Sequence, residues 1–85
     1  MHYQVYILEN IRKQKYIGIT NNIQKRLEKH NTNCSKWTAG KGPWSLFWVS
    51  KLMLPADARK LEILLKKQKG GQGLKTLMAL NKKAM

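Results

Sequence analysis

Arg26 and His30 stand where an amphipathic helix would ordinarily carry leucines. In "NNIQKRLEKHN", Ile23, Arg26, Leu27 and His30 fall at i, i+3, i+4 and i+7, which is one face of a helix. Asn22, Gln24, Lys25, Glu28 and Lys29 fall on the other side and read as ordinary solvated surface. A guanidinium taken out of water without a partner is very costly, so Arg26 needs an anion or an open cleft. The bland alternative is that Arg26 snorkels to the helix edge. His30 would then be an edge residue favoured by the helix C-terminal dipole.

Two further residue types extend the pattern. Tyr6 and Tyr16 sit in the apolar stretches "YQVYIL" and "KYIGIT", which read as neighbouring strands. Either tyrosine could simply be core. A phenol can also act as a base where cations depress its pKa from about 10, and Arg26 or nearby lysines would supply that field. Among the four acids, Glu9 adjoins a turn, Glu28 is on an exposed face, and Asp57 suits a helix N-terminus. Glu62 remains: it is mid-helix, at the flank of a leucine stripe. A hard divalent cation needs a carboxylate oxygen, and Glu62 is the candidate by elimination. Otherwise it is a solvated glutamate pairing with Lys66 four residues on. The segment "NTNCSKWTAGKGP" mixes Lys36, Trp37 and Lys41 in loop composition, which suits phosphate contact and base stacking. Trp37 could equally be core, as Trp44 and Trp48 are expected to be.

The elements that must position these groups follow from hydrophobic periodicity. Tyr3–Leu8, Lys15–Thr20 and Trp44–Ser50 read as strands, the first two forming an antiparallel hairpin because their link is too short for a crossover. Gly18 inside the second strand marks a bulge or a close approach by another group. Asn21 is the expected helix N-cap, with Gln24 in the capping-box position and the helix running from about Asn22 to His30. A second helix opens at Pro55 and Asp57, carries Leu61, Leu64 and Leu65 as its core stripe, and stops at Gly70-Gly71. The segment "LKTLMALNKK" reads as a short third helix. The order ββαβαα predicts a small α+β domain over residues 1–85, a three-stranded antiparallel sheet flanked by helices.

Composition narrows the partner. The chain has 85 residues, with 17 Lys plus Arg against 4 Asp plus Glu, for a net charge of +13. That imbalance favours a polyanion, nucleic acid ahead of an acidic membrane surface. The single cysteine, Cys34, excludes an internal disulfide and a Cys-rich zinc site. No apolar run is long enough to span a membrane, and "MHYQVYILEN" lacks signal-peptide features, so a cytoplasmic location is expected.

Taken in order, "VYI" at Val5–Ile7, "YIG" at Tyr16–Gly18, Arg26 ten residues after Tyr16, His30 four further on, and helical Glu62 resemble the GIY-YIG nuclease superfamily. The likeness spans about Tyr3 to Lys69 and is greatest to small, single-domain members. It implies a DNA endonuclease dependent on Mg²⁺ or Mn²⁺. In that resemblance Glu62 holds the metal and Arg26 binds the scissile phosphate. Tyr6 and Tyr16 flank the attacking water, with Tyr16 preferred as base. His30 assists proton transfer or positions the phosphate, and Gly18 admits substrate. The chain departs from the pattern by Val5-Tyr6-Ile7 in place of Gly-Ile-Tyr, and by Ile19 where some members carry lysine. Asn81 lies where an asparagine follows the glutamate in many members, without a settled register. With no separate DNA-binding domain, specificity is expected from loops or from a partner protein. The alternative function is a nucleic-acid-binding module on the same fold that does not cut.

Overall fold

A computed structural model describes residues 2–31, 42–68 and 72–81. It contains β1 (Gln4–Asn10), β2 (Lys15–Thr20), α1 (Ile23–Asn31), β3 (Trp44–Val49), α2 (Pro55–Lys67) and α3 (Gln72–Asn81). The strands form one antiparallel sheet in the order β2-β1-β3. The ββαβαα order and α+β class expected from the sequence are what the chain adopts.

β1 is central, and helices pack on both of its faces, which explains why it reads as a nearly continuous apolar run. Val5 and Ile7 point to one face and pack with Ala58, Leu61 and Leu65 of α2; Ile17, Ile19, Trp48 and residues of α3 complete that layer. Tyr6 and Leu8 point to the other face and pack with Trp44, Tyr16, Val49 and the Ile23 and Leu27 side chains of α1. The strand alternation therefore sends Tyr6 and Tyr16 towards α1 and the aliphatic residues towards α2.

The β1–β2 turn fixes the register. Asn10 Oδ1 accepts from the backbone N–H groups of Arg12 (3.0 Å) and Gln14 (2.9 Å). Lys13 takes the left-handed conformation, with φ 66°. That register sets Tyr6 opposite Gly18 and Tyr16 opposite Leu8. A Cβ on Gly18 would lie 2.6 Å from Tyr6 Oη and 2.7 Å from Cζ. The close approach expected at Gly18 is thus made by the Tyr6 phenol.

Helix α1 begins one residue later than expected. Asn22, not Asn21, is the cap: its Oδ1 accepts from the Lys25 N–H at 3.1 Å. Thr20 at the end of β2 decides between the two asparagines. Its hydroxyl lies 3.0 Å from Asn22 N and 3.1 Å from Asn22 O, holding that backbone at the strand end. Gln24 is therefore not in the capping-box position. At the far end the Asn31 amide clamps α1 to β3, accepting from Trp44 N and donating to Trp44 O.

In α2 the buried residues are Ala58, Leu61, Glu62 and Leu65. Leu64, expected in the core, is 45% exposed, whereas Glu62 is only 9% exposed. The stripe is rotated because i, i+3, i+4 and i+7 from Ala58 pass through Glu62 and miss Leu64. The helix ends at Lys67, with Gln68 extended at φ −82° and ψ 128°. Gly70 and Gly71, the expected stop, lie outside the described residues.

Gly18→Ala should destabilise the chain by about 1–3 kcal/mol, because the added methyl overpacks against Tyr6. Urea unfolding reads this as a lowered midpoint. An unchanged midpoint would mean that the Tyr6 ring moves aside at no cost.

Candidate active site

Four side chains that are far apart in sequence converge on the α1 face of the sheet. Tyr6 Oη lies 3.0 Å from His30 Nε2, and Arg26 Nε donates to the same oxygen at 3.1 Å. The Tyr16 ring completes the group, with its centroid 6.1 Å from that of Tyr6 and 4.6 Å from that of His30. Arg26 Nε–H can only donate, so Tyr6 Oη accepts from it. The phenol hydrogen is then available to His30 Nε2. This direction, assigned from the donors present, requires a neutral imidazole with its proton on Nδ1.

Burial accounts for the protonation states. The Tyr6 pKa is pushed up from the usual 10 to about 12, because desolvation of a phenolate outweighs the lowering by Arg26. The expected depression of a phenol by nearby cations therefore does not hold at Tyr6. His30 is 0% exposed. Burial first, and then the Arg26 charge, hold its pKa below the usual 6.5. It is not the edge residue that a helix C-terminus would allow. Arg26 is only partly buried, and its hydrogen bond to Tyr6 pushes its pKa upward, so it stays charged.

Tyr16 differs from Tyr6 in access. It lines an open cleft of about 380 Å³ together with Lys15, Ile17 and Lys66. Lys66 Nζ is 3.1 Å from Glu62 Oε2, and Arg59 lies 3.7 Å from Oε1. Glu62 itself is not among the lining residues. It belongs to α2, which covers the opposite face of the sheet from α1, and its ion-pair partner Lys66 lines the same cleft as Tyr16. Tyr6, Tyr16, Arg26 and His30 thus form one contact group, with Glu62 one ion pair removed. Lys36, Trp37 and Lys41 lie outside the described residues.

A second, polar pocket of about 170 Å³ adjoins the group. It is lined by Thr20, Asn21, Asn22, Lys25, Arg26 and Lys29 and so shares Arg26 with the tyrosines. From the sequence alone Lys25 and Lys29 read only as solvated surface and Lys66 only as a partner for Glu62. The spacing signal existed: Lys25 and Lys29 flank Arg26 on α1, and Lys66 is one turn beyond Glu62.

The donor set limits which metal could bind. Among the described residues no group of three or more His, Cys, Asp or Glu side chains gathers. A zinc-type site has no counterpart there. A single buried carboxylate, Glu62, fits a hard ion such as Mg²⁺ or Mn²⁺ that keeps most of its ligands as water.

With this geometry in place, the comparisons define the class. The GIY-YIG catalytic domain model matches residues 2–75, and the chain belongs to that family, whose members are generally nucleases. Its relatives include UPF0213 protein CPE1444 of Clostridium perfringens, 35% identical over 74 residues, covering 86% of this chain and 80% of the relative. The putative GIY-YIG domain-containing protein 242L of Invertebrate iridescent virus 6 is 37% identical over 68 residues, covering 78% and 69%. The solution NMR structure of UPF0213 protein BH0048 from Bacillus halodurans superposes with a TM-score of 0.55 at 28% identity, covering 94% of this chain and 85% of that one. Among the described residues no helix is long and apolar enough to cross a membrane.

The state of His30 generates a pH test. Its pKa in the folded chain lies below the unfolded value of 6.5, so the unfolded chain binds more protons just below that pH. The stability this confers is complete above 6.5 and is lost as pH falls through the folded value. The thermal midpoint should therefore drop between about pH 7 and about pH 5, above the range where carboxylates titrate. His30→Gln should have a lower midpoint and a flatter slope. An equal slope in both proteins would show that His30 is not the group responsible.

Proposed function

We propose that this chain is a divalent-metal-dependent endonuclease that hydrolyses phosphodiester bonds in DNA. The observation that carries the reading is the Arg26–Tyr6–His30 hydrogen-bond chain beside the Tyr16 cleft. Arg26 donates through Nε to Tyr6 and is also hydrogen-bonded to Tyr16, and its remaining guanidinium N–H groups serve a phosphate and its growing negative charge. Tyr6 stays protonated, and its role is to hold Arg26 and His30. Tyr16, with access to the cleft, takes the proton of the attacking water as its own hydroxyl proton passes to solvent. His30 keeps the phenol hydrogen directed away from Arg26. Glu62 would hold the metal ion, Mg²⁺ or Mn²⁺, which when bound supplies charge stabilisation at the phosphate and leaving oxygen.

The charge distribution supports a nucleic-acid substrate. Lys15 and Lys66 flank Tyr16 in the cleft, and Lys25, Arg26 and Lys29 line the adjoining pocket. In this reading the strand runs between the two, and Lys36, Trp37 and Lys41 also bind substrate. Gly18 serves by admitting the Tyr6 ring. The domain comprises residues 1–85 and works in the cytoplasm, with specificity supplied by its loops or by a partner protein. One observation favours the second reading, a binding module that does not cut: both Glu62 oxygens are held by cationic side chains.

Incubation with plasmid and branched DNA in Mg²⁺ or Mn²⁺ separates the two. The native chain should cut, Glu62→Gln should not, and Arg26→Ala should lose about 10²–10³-fold in rate. Binding to DNA and RNA with no cleavage of either would leave the binding module as the function. Under both readings affinity should fall linearly in log–log form with salt.

A further inference from the structure

Lys66 occupies an unusual place in this geometry. Its ammonium is the nearer of two cations on the Glu62 carboxylate, at 3.1 Å, and its side chain also lines the cleft beside Tyr16. The other lysine in that cleft, Lys15, is engaged elsewhere: its Nζ lies 3.1 Å from Glu9 and 4.7 Å from the centre of the Phe47 ring. Arg59 is farther from Glu62, at 3.7 Å, and its side chain is 72% exposed. Lys66 is thus the cation that touches both the carboxylate and the cleft.

A nearly buried carboxylate needs a counter-charge. Lys66 and Arg59 supply it at Glu62. A divalent cation on the same oxygens would meet an ammonium within a few ångströms, and like charges at that range repel strongly. Both cannot hold Oε2. The Lys66 stem is long, and its side chain is 56% exposed, so the ammonium can leave without unfolding the helix. The open space beside it is the cleft, where an anionic substrate would be its next partner.

We propose that Lys66 is an exchangeable counter-ion. It neutralises Glu62 when no metal is present, is displaced by the divalent ion, and then binds a substrate phosphate beside Tyr16. The inference rests on reading Glu62 as the metal carboxylate. It adds a positioning residue, Lys66, that orients the Glu62 carboxylate through their ion pair and couples metal binding to substrate binding. Lys66 opposes the metal and favours the nucleic acid, so its removal should shift the two affinities in opposite directions. A merely structural role would weaken both.

The test uses the full chain, with Mn²⁺ alone as one probe and a short single-stranded DNA as the other. Mn²⁺ binding is read by electron paramagnetic resonance, and DNA binding by fluorescence anisotropy at saturating Mn²⁺. Lys66→Met should bind Mn²⁺ at least about fivefold more tightly than the native chain, since a nearby charge is removed in a partly screened setting. Its DNA affinity should fall severalfold. Lys66→Arg keeps the charge and can grip the carboxylate with two nitrogens, so it should bind Mn²⁺ more weakly than the native chain. Glu62→Gln should abolish the Mn²⁺ site. Equal or weaker Mn²⁺ binding by folded Lys66→Met overturns the proposal, as does an absence of Mn²⁺ binding in every variant. The opposed affinity shifts without DNA cleavage would remove the endonuclease reading and leave the counter-ion role standing.

Discussion

The candidate site depends on where the Tyr6 phenol is held. Tyr6 comes from the central strand, fully buried, and its ring occupies the space left by Gly18 on the neighbouring strand. A phenol placed there cannot reach water, so its oxygen must be satisfied by the protein. Arg26 and His30 do this from a single helix, one donating and the other accepting. The requirement runs in both directions. Arg26 needs an acceptor near the sheet, and the buried imidazole needs a donor. One oxygen meets both needs and ties α1 to β1 at a polar contact inside an otherwise apolar layer.

The two helices solve the same problem in the same way. Each has four residues at i, i+3, i+4 and i+7 on its inner face: Ile23, Arg26, Leu27 and His30 on α1, and Ala58, Leu61, Glu62 and Leu65 on α2. In each, apolar positions anchor the helix and ionisable ones are turned inward. A domain of this size buries little surface, so inward charges are tolerated only where each has a partner. Arg26 and His30 find Tyr6, and Glu62 finds Lys66 and Arg59. The sheet separates the two sets, and edge strand β2 lets them approach, because Tyr16 lines the same cleft as Lys66.

Much of the fold is legible in the residues. The alternation in "KYIGIT" places β2 correctly, and the α1 stripe identifies the inward face. Placing Arg26 and His30 beside the tyrosines needs only that stripe and the hairpin register. Other features turn on contacts that no local pattern encodes. Asn21 and Asn22 are equally good caps in isolation, and the Thr20 hydroxyl chooses between them. Leu64 looks like core by type. Which face of α2 is buried depends on how that helix lies on β1 and β2, and that packing favours Glu62 instead. The direction of the Tyr6 shift is likewise tertiary. Arg26 lowers the pKa, as charge alone would suggest, but the depth of burial on the central strand prevails.

That balance between burial and charge at Tyr6 can be measured without substrate or metal. Ionisation of the three tyrosines can be followed by NMR with ¹³C at Cζ, using Tyr6→Phe to identify the Tyr6 signal. Tyr6 should remain protonated at about pH 11, above the usual phenol range. A Tyr6 signal that ionises at or below 10 would contradict the account. It would mean that the cationic field of Arg26 outweighs burial on the central strand.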